Sequence, residues 1–405
     1  MIFSLACSPI RCMVQVTDTI TFIPNFMKKI RVIHIINSFE FGGAETMLRN
    51  LILRTDRARF ESSAVSLIDN LTVAGPILDA GIPIKTMGMK PGIPDPRAML
   101  RLVRHLRAER PTIIQTWMDH SNLIGGLASV LVPGGKAVWG IHHSDHVAGL
   151  TKRSTLVTVN TCAVLSHRVP ARVVLCSEHS RKLYAARGFA DPKMTVIPNG
   201  FDTSVFQPDP EARSGIRREL GIDTNTMLVG LVARYDPLKD HANFLRAAAK
   251  VMQTHPDVHF LLCGTKVTHE NAELMELVQQ LKIGKNCHLL GPRRDVPRLY
   301  AAMDLNVSSS VSEAFPLAVG EAMASGVPCV ATDVGDSALM IGDTGRIVPP
   351  GDSDALARAI IDLLTLTPQA REHLGTSARA RVRELFDLTA VTRRYEAVYE
   401  EVARI

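Results

Sequence analysis

Cysteine and aromatic residues are scarce in this sequence, and what it lacks excludes several classes of protein. Seven cysteines are scattered among 405 residues, and no two of them form a C-x-x-C pair. Their odd number and spacing argue against a disulfide framework and a zinc site, and favour a reducing compartment. There is no low-complexity tract, and a composition of 46% hydrophobic and 21% charged residues is typical of a globular protein.

Long hydrophobic runs are also missing. The most apolar window, residues 154–165, is shorter than the ~20 residues that a transmembrane helix needs. The first residues are only mildly apolar, and no basic region precedes their apolar stretch, so they make a poor signal peptide. The segment "MKKIRVIHII", which begins at Met27, predicts a cytosolic start that leads directly into a first strand. We therefore expect residues 1–27 to be an N-terminal extension, which is either disordered or the result of an upstream start site.

Charge is unevenly distributed along the chain. Residues 28–190 contain 22 Lys and Arg against 11 Asp and Glu, a net +11, whereas residues 191–405 contain 23 against 28, a net −5. The remaining N-terminal residues carry one charge of each sign, so the sum is the formal net charge of +6. So basic an N-terminal half predicts an acidic partner or an anionic membrane surface. The segment "PRAMLRLVRHLRAERP" (96–111) has basic residues at helical spacing, although an ordinary solvated helix face would explain it equally well.

Short apolar runs alternate with amphipathic stretches from Ile30 onward. Continuous apolar strands indicate sheets that are covered on both faces, and the alternation of strands with helices makes those sheets parallel. Because the cycle restarts near residue 225, we predict an α/β protein with two doubly wound Rossmann-like domains facing a central cleft. The predicted strands are residues 30–36, 62–68, 82–87, 112–117, 136–141, 172–177 and 194–199 in the first half, and 227–234, 258–264, 287–291, 304–310, 327–332 and 345–350 in the second.

The domain boundaries follow from this alternation. We predict an N-terminal domain at 28–200, a C-terminal domain at 201–385, and a final helix at 386–405. The turn-rich segment 198–215 is the predicted joint. In open α/β sheets ligands bind beyond the carboxyl ends of the strands, so residues that follow strands are the candidates for a site.

Two glutamates stand eight residues apart in the otherwise apolar stretch "SEAFPLAVGEAMASG". Pro316 suits the first position of a helix and Gly326 the residue just past its end, which predicts a helix from near 316 to 325. The free N–H groups at its start form an anion site, with Glu313 ahead of them and Glu321 ~7 Å further along. A nucleotide-sugar has a matching order of polyol, diphosphate and polyol. A cap at Glu313 and a surface ion pair at Glu321 would explain the spacing equally well.

Two cations and two glycines also follow predicted strands. Arg234 ends one strand and Lys239 precedes the next helix, a pattern that favours a diphosphate clamp. Gly42 and Gly43 follow the first strand, where glycine permits close approach to a phosphate. They are not part of a G-x-G-x-x-G fingerprint, which disfavours an NAD-dependent dehydrogenase.

Histidines mark the predicted cleft as well. His120 follows a strand end, where a role at the site is favoured over a purely structural one. His142, His143 and His146 could ligate a metal, but no carboxylate or cysteine cluster accompanies them, so we favour acceptor binding by His142 and His143. The D-x-D sequence that begins at Asp352 lies at a helix start and indicates N-capping rather than a metal site.

Together these residues resemble glycosyltransferase family 4, the retaining, nucleotide-sugar-dependent enzymes of the GT-B fold. The resemblance covers nearly all of residues 28–385. It rests on "GGAE" (42–45), the histidine after "QTWM", "VIPNGFD" (196–202), the Arg234/Lys239 pair, and the E-x7-E spacing of Glu313 and Glu321.

The resemblance implies a role for each matching residue on the donor side. Arg234 and Lys239 are expected to hold the donor diphosphate, Glu313 to contact the donor sugar, and Glu321 to bind the ribose. The family's pattern often has a polar residue where Leu317 stands, which leaves only backbone contacts there. The backbone expected to meet the sugar and phosphate is that of Phe315, Pro316, Leu317 and Ala318.

For the N-terminal domain, the resemblance implies that Gly43 approaches the donor from the side opposite to Arg234 and Lys239, and that His120 lies beside the reacting sugar. Glu313 and His120 are thus the candidate catalytic residues. Family members need no divalent metal, and their final helix commonly crosses back to the N-terminal domain. No cofactor is implied.

We therefore expect a metal-independent, retaining hexosyltransferase that moves a sugar from a UDP- or GDP-sugar to a hydroxyl of a glycan, with a lipid-linked glycan as first choice. This suits polysaccharide or lipopolysaccharide synthesis at the inner face of the cytoplasmic membrane, with peripheral contact to anionic lipid and no nucleic-acid partner. Two alternatives remain: a GT-B sugar-nucleotide epimerase, which would turn over its donor without an acceptor, and a non-catalytic sugar-nucleotide-binding protein.

Overall fold

The computed structural model describes residues 29–40, 42–90, 95–143 and 152–405, which form two parallel sheets flanked by helices. The predictions made above for residues 1–27 and His146 lie outside these residues. The strands are β1 (Ile30–Ile36), β2 (Phe60–Ser66), β3 (Ile84–Thr86), β4 (Ile113–Trp117), β5 (Lys136–Ile141), β6 (Arg172–Leu175), β7 (Met194–Val196), β8 (Leu228–Val232), β9 (His259–Cys263), β10 (Cys287–Leu289), β11 (Leu305–Ser308), β12 (Cys329–Thr332) and β13 (Gly345–Val348).

Helices connect the strands and close the chain. They are α1 (Gly43–Arg54), α2 (Gly75–Asp79), α3 (Pro96–Glu109), α4 (Asp119–Val130), α5 (Arg153–Ser166), α6 (Glu178–Ala186), α7 (Pro210–Leu220), α8 (His241–Thr254), α9 (Ala272–Gln280), α10 (Val296–Ala302), α11 (Leu317–Ala324), α12 (Ser337–Ile341), α13 (Ser353–Leu364), α14 (Pro368–Leu385) and α15 (Leu388–Arg404). Short 3-10 turns lie at Asp191–Lys193 and Pro237–Lys239.

The strand orders confirm the predicted fold class. The first sheet runs β3-β2-β1-β4-β5-β6-β7 and the second β10-β9-β8-β11-β12-β13, with parallel pairing of neighbours. The order reverses between β1 and β4 in one sheet and between β8 and β11 in the other. A crevice opens at such a switch point, beyond the carboxyl ends of the strands.

Both faces of the first sheet are buried, which is why its strands are continuously apolar. On β1, Val32 and Ile36 pack with residues of α1 and α15, while Ile33 and Ile35 pack with residues of α3 on the opposite face. Alternating residues of one strand therefore enter two different clusters, as expected for a parallel sheet between two layers of helices.

The final helix lies on the first sheet although the preceding helix, α14, packs on α11 of the second domain. Tyr395 and Tyr399 of α15 are buried against β1 and β4, and Lys136 Nζ donates to Val402 O over 3.2 Å at the helix end. The two connections between the domains run side by side, since Phe201 N donates to Phe386 O (2.8 Å). This paired crossing is the covalent joint of the molecule.

One local prediction was wrong. Pro316 is the N-cap of α11 rather than its first helical residue, because its ψ of 96° is extended and Leu317 begins the helix. The turn-rich segment 198–215 contains Phe201 of the paired crossing, and its last residues are helical, because Asp209 accepts a hydrogen bond from Ala212 N (2.9 Å) and thereby starts α7. Gly326 follows the end of α11 with φ +77°, as predicted.

Candidate functional site

The predicted site residues follow the four strands that flank the two switch points. Gly43 follows β1 and His120 follows β4 in the first domain, while Arg234 follows β8 and Glu313 follows β11 in the second. The two domains, which form the two walls of the cleft, touch here, because a Cβ placed on Gly43 would lie 3.0 Å from Leu317 Cδ1. The start of α1 therefore approaches the start of α11 closely, and glycine leaves room for that approach.

Glu313 and Lys239 form an ion pair on the wall of the second domain. Lys239 Nζ lies 2.5 Å from Glu313 Oε1, and Ser310 Oγ donates to the same oxygen over 2.8 Å. Lys239 ends a 3-10 turn whose start is fixed by Asp236, which accepts from Leu238 N (2.9 Å). A carboxylate and an ammonium are thus held together at the mouth of α11, although they lie 74 residues apart in the chain.

Arg234 lies beside this pair with a more open side chain. Its Nε donates to Asp236 Oδ2 over 3.1 Å, and its side chain remains 55% exposed. The N-terminal N–H groups of α11, beginning at Leu317, complete a cationic surface, since they have no acceptor within the helix. A planar guanidinium, an ammonium and a helix start are the groups that bind a diphosphate.

Glu321 occupies the second turn of α11 and is partly buried. Tyr300 Oη donates to its Oε2 over 3.2 Å. Burial raises the pKa of this carboxyl to about 7, and the hydrogen bond from Tyr300 and the positive charge of Arg49 oppose the rise. Arg49 belongs to α1 of the opposite domain, so the two walls of the cleft also meet electrostatically here.

Arg49 is a cleft residue that the sequence analysis missed. Burial lowers the pKa of its guanidinium, and the negative charge of Glu321 raises it. The sequence did contain a pattern that indicates Arg49. It lies four residues after Glu45, on the same face of the helix that begins at Gly43. Glu45 also faces the second domain: burial raises its pKa, and the positive charge of Arg234 lowers it.

A strained turn holds His120. β4 ends at Trp117 and α4 begins at Asp119, which leaves Met118 at φ +73° and ψ 159°, a region occupied almost only by glycine. Such a conformation costs about 1–3 kcal/mol and tends to occur at functional sites. Hydrogen bonds keep it in place: Met118 N donates to Gly140 O (2.9 Å), and Asn122 N donates to Met118 O (2.8 Å).

His120 is half-buried just after this turn. Its Nδ1 lies 3.3 Å from Thr158 Oγ1 of α5, which fixes one side of the ring. His120 was predicted from the sequence, but the backbone strain that places it was not, because a methionine gives no local signal of a positive φ.

The two histidines predicted to bind an acceptor occupy different environments. His142 stacks on Trp117 with ring centroids 4.7 Å apart, and burial lowers its pKa to about 3. It is therefore a neutral ring packed at the sheet end. The pKa of His143 is lowered to about 4, first by burial and then by electrostatic interaction with Arg234 and His120, which lie near it. Of the two, His143 is the one at the cleft.

The described residues contain neither a metal-binding cluster nor a membrane-spanning helix. No group of three or more His, Cys, Asp or Glu side chains there could hold a metal ion. Asp352 accepts from Asp354 N and Ala355 N, so it caps α13 as predicted. None of the helices in the same residues has the length and apolar character needed to cross a membrane.

Comparison with known proteins places the chain in a family. The model described as "Glycosyl transferases group 1" matches residues 212–381, and "Glycosyltransferase Family 4" matches residues 41–205. The UDP-Gal:alpha-D-GlcNAc-diphosphoundecaprenol alpha-1,3-galactosyltransferase of Escherichia coli is 24% identical over 279 residues, which are 66% of this chain and 70% of that protein. The lipopolysaccharide core biosynthesis mannosyltransferase LpsB of Rhizobium meliloti (strain 1021) is 31% identical over 223 residues, 53% of this chain and 63% of that one.

A solved structure shows the same fold. The crystal structure of Anabaena Alr3699/HepE in complex with UDP-glucose matches with a TM-score of 0.80 and 23% identity, over 92% of this chain and all (100%) of the other. The two family models between them cover every strand of the two sheets except β1. The chain therefore belongs to glycosyltransferase family 4, and it is a glycosyltransferase of the GT-B fold.

Proposed function

We propose that this glycosyltransferase transfers a hexose, with retention of configuration, from a UDP- or GDP-sugar to a hydroxyl of a lipid-linked glycan. The observation that carries the proposal is the convergence of Arg234, Lys239, Glu313 and Glu321 around the start of α11. The similar Escherichia coli enzyme is a galactosyltransferase that uses UDP-Gal and a diphosphoundecaprenol-linked acceptor, and the similar Anabaena structure contains UDP-glucose. Both support a nucleotide-sugar as the donor.

The site's charges suit departure of a diphosphate. As the bond from the sugar to the diphosphate breaks, negative charge grows on the phosphate oxygens and positive charge on the sugar ring. Lys239, Arg234 and the N–H groups of α11 would stabilise the first charge, and the Glu313 carboxylate the second. Because these groups are already fixed by protein contacts, little reorganisation is needed during the reaction.

Retention follows most simply if the acceptor attacks from the face that the diphosphate leaves. Glu313, the carboxylate nearest the start of α11, is occupied by Lys239 and Ser310, which suits it to charge stabilisation rather than to forming a bond with the sugar. His120 and His143 on the opposite wall would position the acceptor hydroxyl. No resident cofactor or metal takes part in this proposal.

The donor half of the proposal is tested by isothermal titration of the full chain with UDP-glucose, UDP-galactose and GDP-mannose. Lys239→Met should raise the Kd of the preferred donor about 10-fold, because it removes one charge-assisted contact worth about 1.4 kcal/mol. Lys250→Met is the matched control, because Lys250 pairs with Asp354 away from the cleft and should bind the donor like wild type. Failure of wild type to bind any of the three donors would refute the donor assignment.

The reaction itself is tested with a diphosphoundecaprenol-linked sugar as acceptor. We expect transfer that depends on the acceptor, and a product whose new linkage has the anomeric configuration of the donor when examined by NMR. Turnover of the donor to an isomeric nucleotide-sugar without acceptor would instead show an epimerase. Donor binding with neither transfer nor slow hydrolysis would show a non-catalytic binding protein.

We also propose that the first domain binds an anionic membrane through one face, here called the basic face. Arg97, Leu100, Arg101 and Arg104 are exposed on one side of α3, at positions separated by three and four residues. Helix α4 lies between α3 and α5 and adds exposed apolar residues, joined to α3 where Arg107 Nε donates to Leu131 O over 2.9 Å. The exposed apolar side chains on these three helices are Leu100, Leu127, Val130, Leu131, Val157 and Val164.

Arginines beside exposed aliphatic side chains are the groups that bind anionic headgroups and the adjoining acyl boundary. This surface would bring the cleft to the lipid that carries the acceptor. The test is sedimentation with vesicles of equal parts phosphatidylglycerol and phosphatidylcholine, or of phosphatidylcholine alone. Binding should need phosphatidylglycerol and weaken as ionic strength rises from about 0.1 M to about 1 M, where the screening length falls from about 10 Å to about 3 Å.

A charge-matched pair of variants makes the vesicle test specific. Replacing Arg97 and Arg104 by serine should weaken binding to phosphatidylglycerol vesicles. The same change at Arg218 and Arg358, which are exposed on the second domain, should leave it unchanged. Equal losses in both double variants would show that net charge alone, and not the basic face, is responsible.

A further inference from the structure

A buried carboxylate of the second domain has its hydrogen-bond donors in the first. Asp336 follows β12 and is only 7% exposed. Its Oδ2 accepts from Glu178 N over 2.9 Å and its Oδ1 from His179 N over 3.0 Å, the first two residues of α6. Helix α6 already has its own N-cap, Ser177, which accepts from Ser180 N. Asp336 thus supplies a second, interdomain cap to the positive end of α6.

Asp336 is also fixed to the loop that carries Glu313. Asp336 N donates to Ala314 O over 3.2 Å. The preceding Gly335 has φ +57°, and a Cβ there would lie 2.3 Å from Glu313 O and 2.6 Å from Ala314 O. The loop of Asp336 therefore lies directly on the backbone of Glu313, and the two cannot move independently.

On its other side, α6 reaches the wall of the first domain. Ser180 Oγ donates to His143 O over 2.8 Å, at the end of β5. Ser177 Oγ donates in turn to Ser180 Oγ over 2.7 Å, so the first turn of α6 is a closed network of buried hydroxyls. A continuous chain of contacts thus runs from Glu313 through Asp336 and α6 to His143.

We propose that Asp336 is a positioning residue that sets the first domain's wall of the cleft in register with the donor loop. The proposal rests on the proposed function in one respect, that Glu313 lies beside the transferred sugar. Most of the groups assigned to donor binding, such as Arg234, Lys239 and Glu321, belong to the second domain, so donor affinity should depend little on this contact. Transfer does need it, because an acceptor on the first domain must reach the sugar, and a displacement of about 1 Å can cost about 100-fold in rate.

The test is Asp336→Asn, which keeps the size of the side chain but turns one acceptor oxygen into an NH2 that faces a backbone N–H. We expect kcat to fall by about 10-fold or more, with the donor Kd and the Tm close to those of wild type. Small-angle scattering should show a larger radius of gyration, since the domains are less firmly held. Asp343→Asn, an exposed aspartate of the same domain, is the control and should match wild type in all four measurements.

Two results would overturn the proposal. An unchanged kcat would show that the interdomain cap has no part in transfer. A parallel loss of kcat, donor affinity and Tm would show that Asp336 only stabilises its own domain. If Asp336→Asn does not fold, Ser180→Ala tests the same chain of contacts at its other end, and it should lower kcat with the donor Kd unchanged; a wild-type kcat in Ser180→Ala would then refute the proposal.

The outcomes also separate this proposal from the proposed function. Absence of transfer by wild type with every donor would refute the function, whereas the scattering comparison would still decide whether Asp336 holds the two domains together. Transfer by wild type and by Asp336→Asn at equal rates would leave the function intact and refute only the coupling.

Discussion

Replacing Glu321 by glutamine should stabilise the protein at alkaline pH while it weakens donor binding. Burial raises the pKa of the Glu321 carboxyl from 4.5 to about 7, so the folded state holds this proton more tightly than the unfolded state does. Below the unfolded value of 4.5 the group is protonated in both states and contributes nothing. As pH rises from there to about 7, ionisation costs the folded state progressively more, and above about 7 the cost is constant.

The magnitude follows from the size of the shift. About 2.5 pKa units at about 1.36 kcal/mol each correspond to about 3 kcal/mol at pH 8. Because Glu321 is only partly buried, solvent reduces this, and we expect Glu321→Gln to gain about 1–2 kcal/mol of unfolding free energy at about pH 8 and nothing at about pH 4. Glutamine has the same shape and can still accept from Tyr300 Oη.

Urea unfolding of the full chain at the two pH values checks the gain, and titration with the preferred nucleotide-sugar checks the loss. A neutral amide in place of a carboxylate should weaken a hydrogen bond to the ribose, raising the donor Kd about 10-fold. Glu372→Gln, an exposed carboxylate on α14, is the control and should change neither quantity. A Glu321→Gln variant that is equally or less stable than wild type at pH 8 would refute the reasoning, because it would mean that the attraction to Arg49 outweighs the burial of the charge.

Three further substitutions test other parts of the site. Glu313→Gln removes the partner of Lys239 and should lower kcat about 100-fold, or about 2.7 kcal/mol, at nearly constant donor KM; steady-state kinetics in which only KM changes would contradict this. Gly43→Val should lower kcat with little change in Tm, because its side chain meets Leu317 between the domains, whereas Gly43→Ala should be much milder; equal activities would show that the close approach is unimportant. The free energy of unfolding of Met118→Gly should be about 1–2 kcal/mol higher than that of Met118→Ala, because only glycine adopts φ +73° without strain. This is the reverse of the usual order, in which alanine is the more stable of the two.

The fold was predictable because its strands are apolar on both faces. Twelve of the thirteen predicted runs contain one strand of the described residues, and the run 62–68 overlaps β2 (Phe60–Ser66); the restart of the cycle near residue 225 falls between the two sheets. Boundaries were less accurate: residues 304–310, for example, shorten to Leu305–Ser308, and the polar Asp304, Ser309 and Ser310 lie outside the strand. Pro316 was misplaced by one position, because a proline fits the N-cap of a helix as well as its first turn.

The candidate site was predictable only where its residues carry a local pattern. The sequence alone shows the glycines after a strand, the loop with two cations and the pair of glutamates. The structure then brings Lys239 to Glu313. Asp336 gives no such signal, because its two donors lie 158 and 157 residues away in the chain. The roles assigned to the predicted site residues and the domain boundaries remain predictions until the variants are measured.

The charges of the cleft also bear on how a product would leave. Arg234 lies near Glu45 of α1, and Lys239 is paired with Glu313, so each cation that we assign to the diphosphate has an acidic neighbour within the protein. A bound diphosphate must compete with these carboxylates, which lowers donor affinity but leaves no cation without a partner once the nucleotide departs. Since leaving a partly buried charge unpaired is costly, the carboxylates would reduce the barrier to product release if Arg234 and Lys239 bind the diphosphate as proposed. The same acidic groups that weaken binding of the donor would therefore favour turnover. This arrangement suits an enzyme whose nucleotide product carries the diphosphate that its site binds.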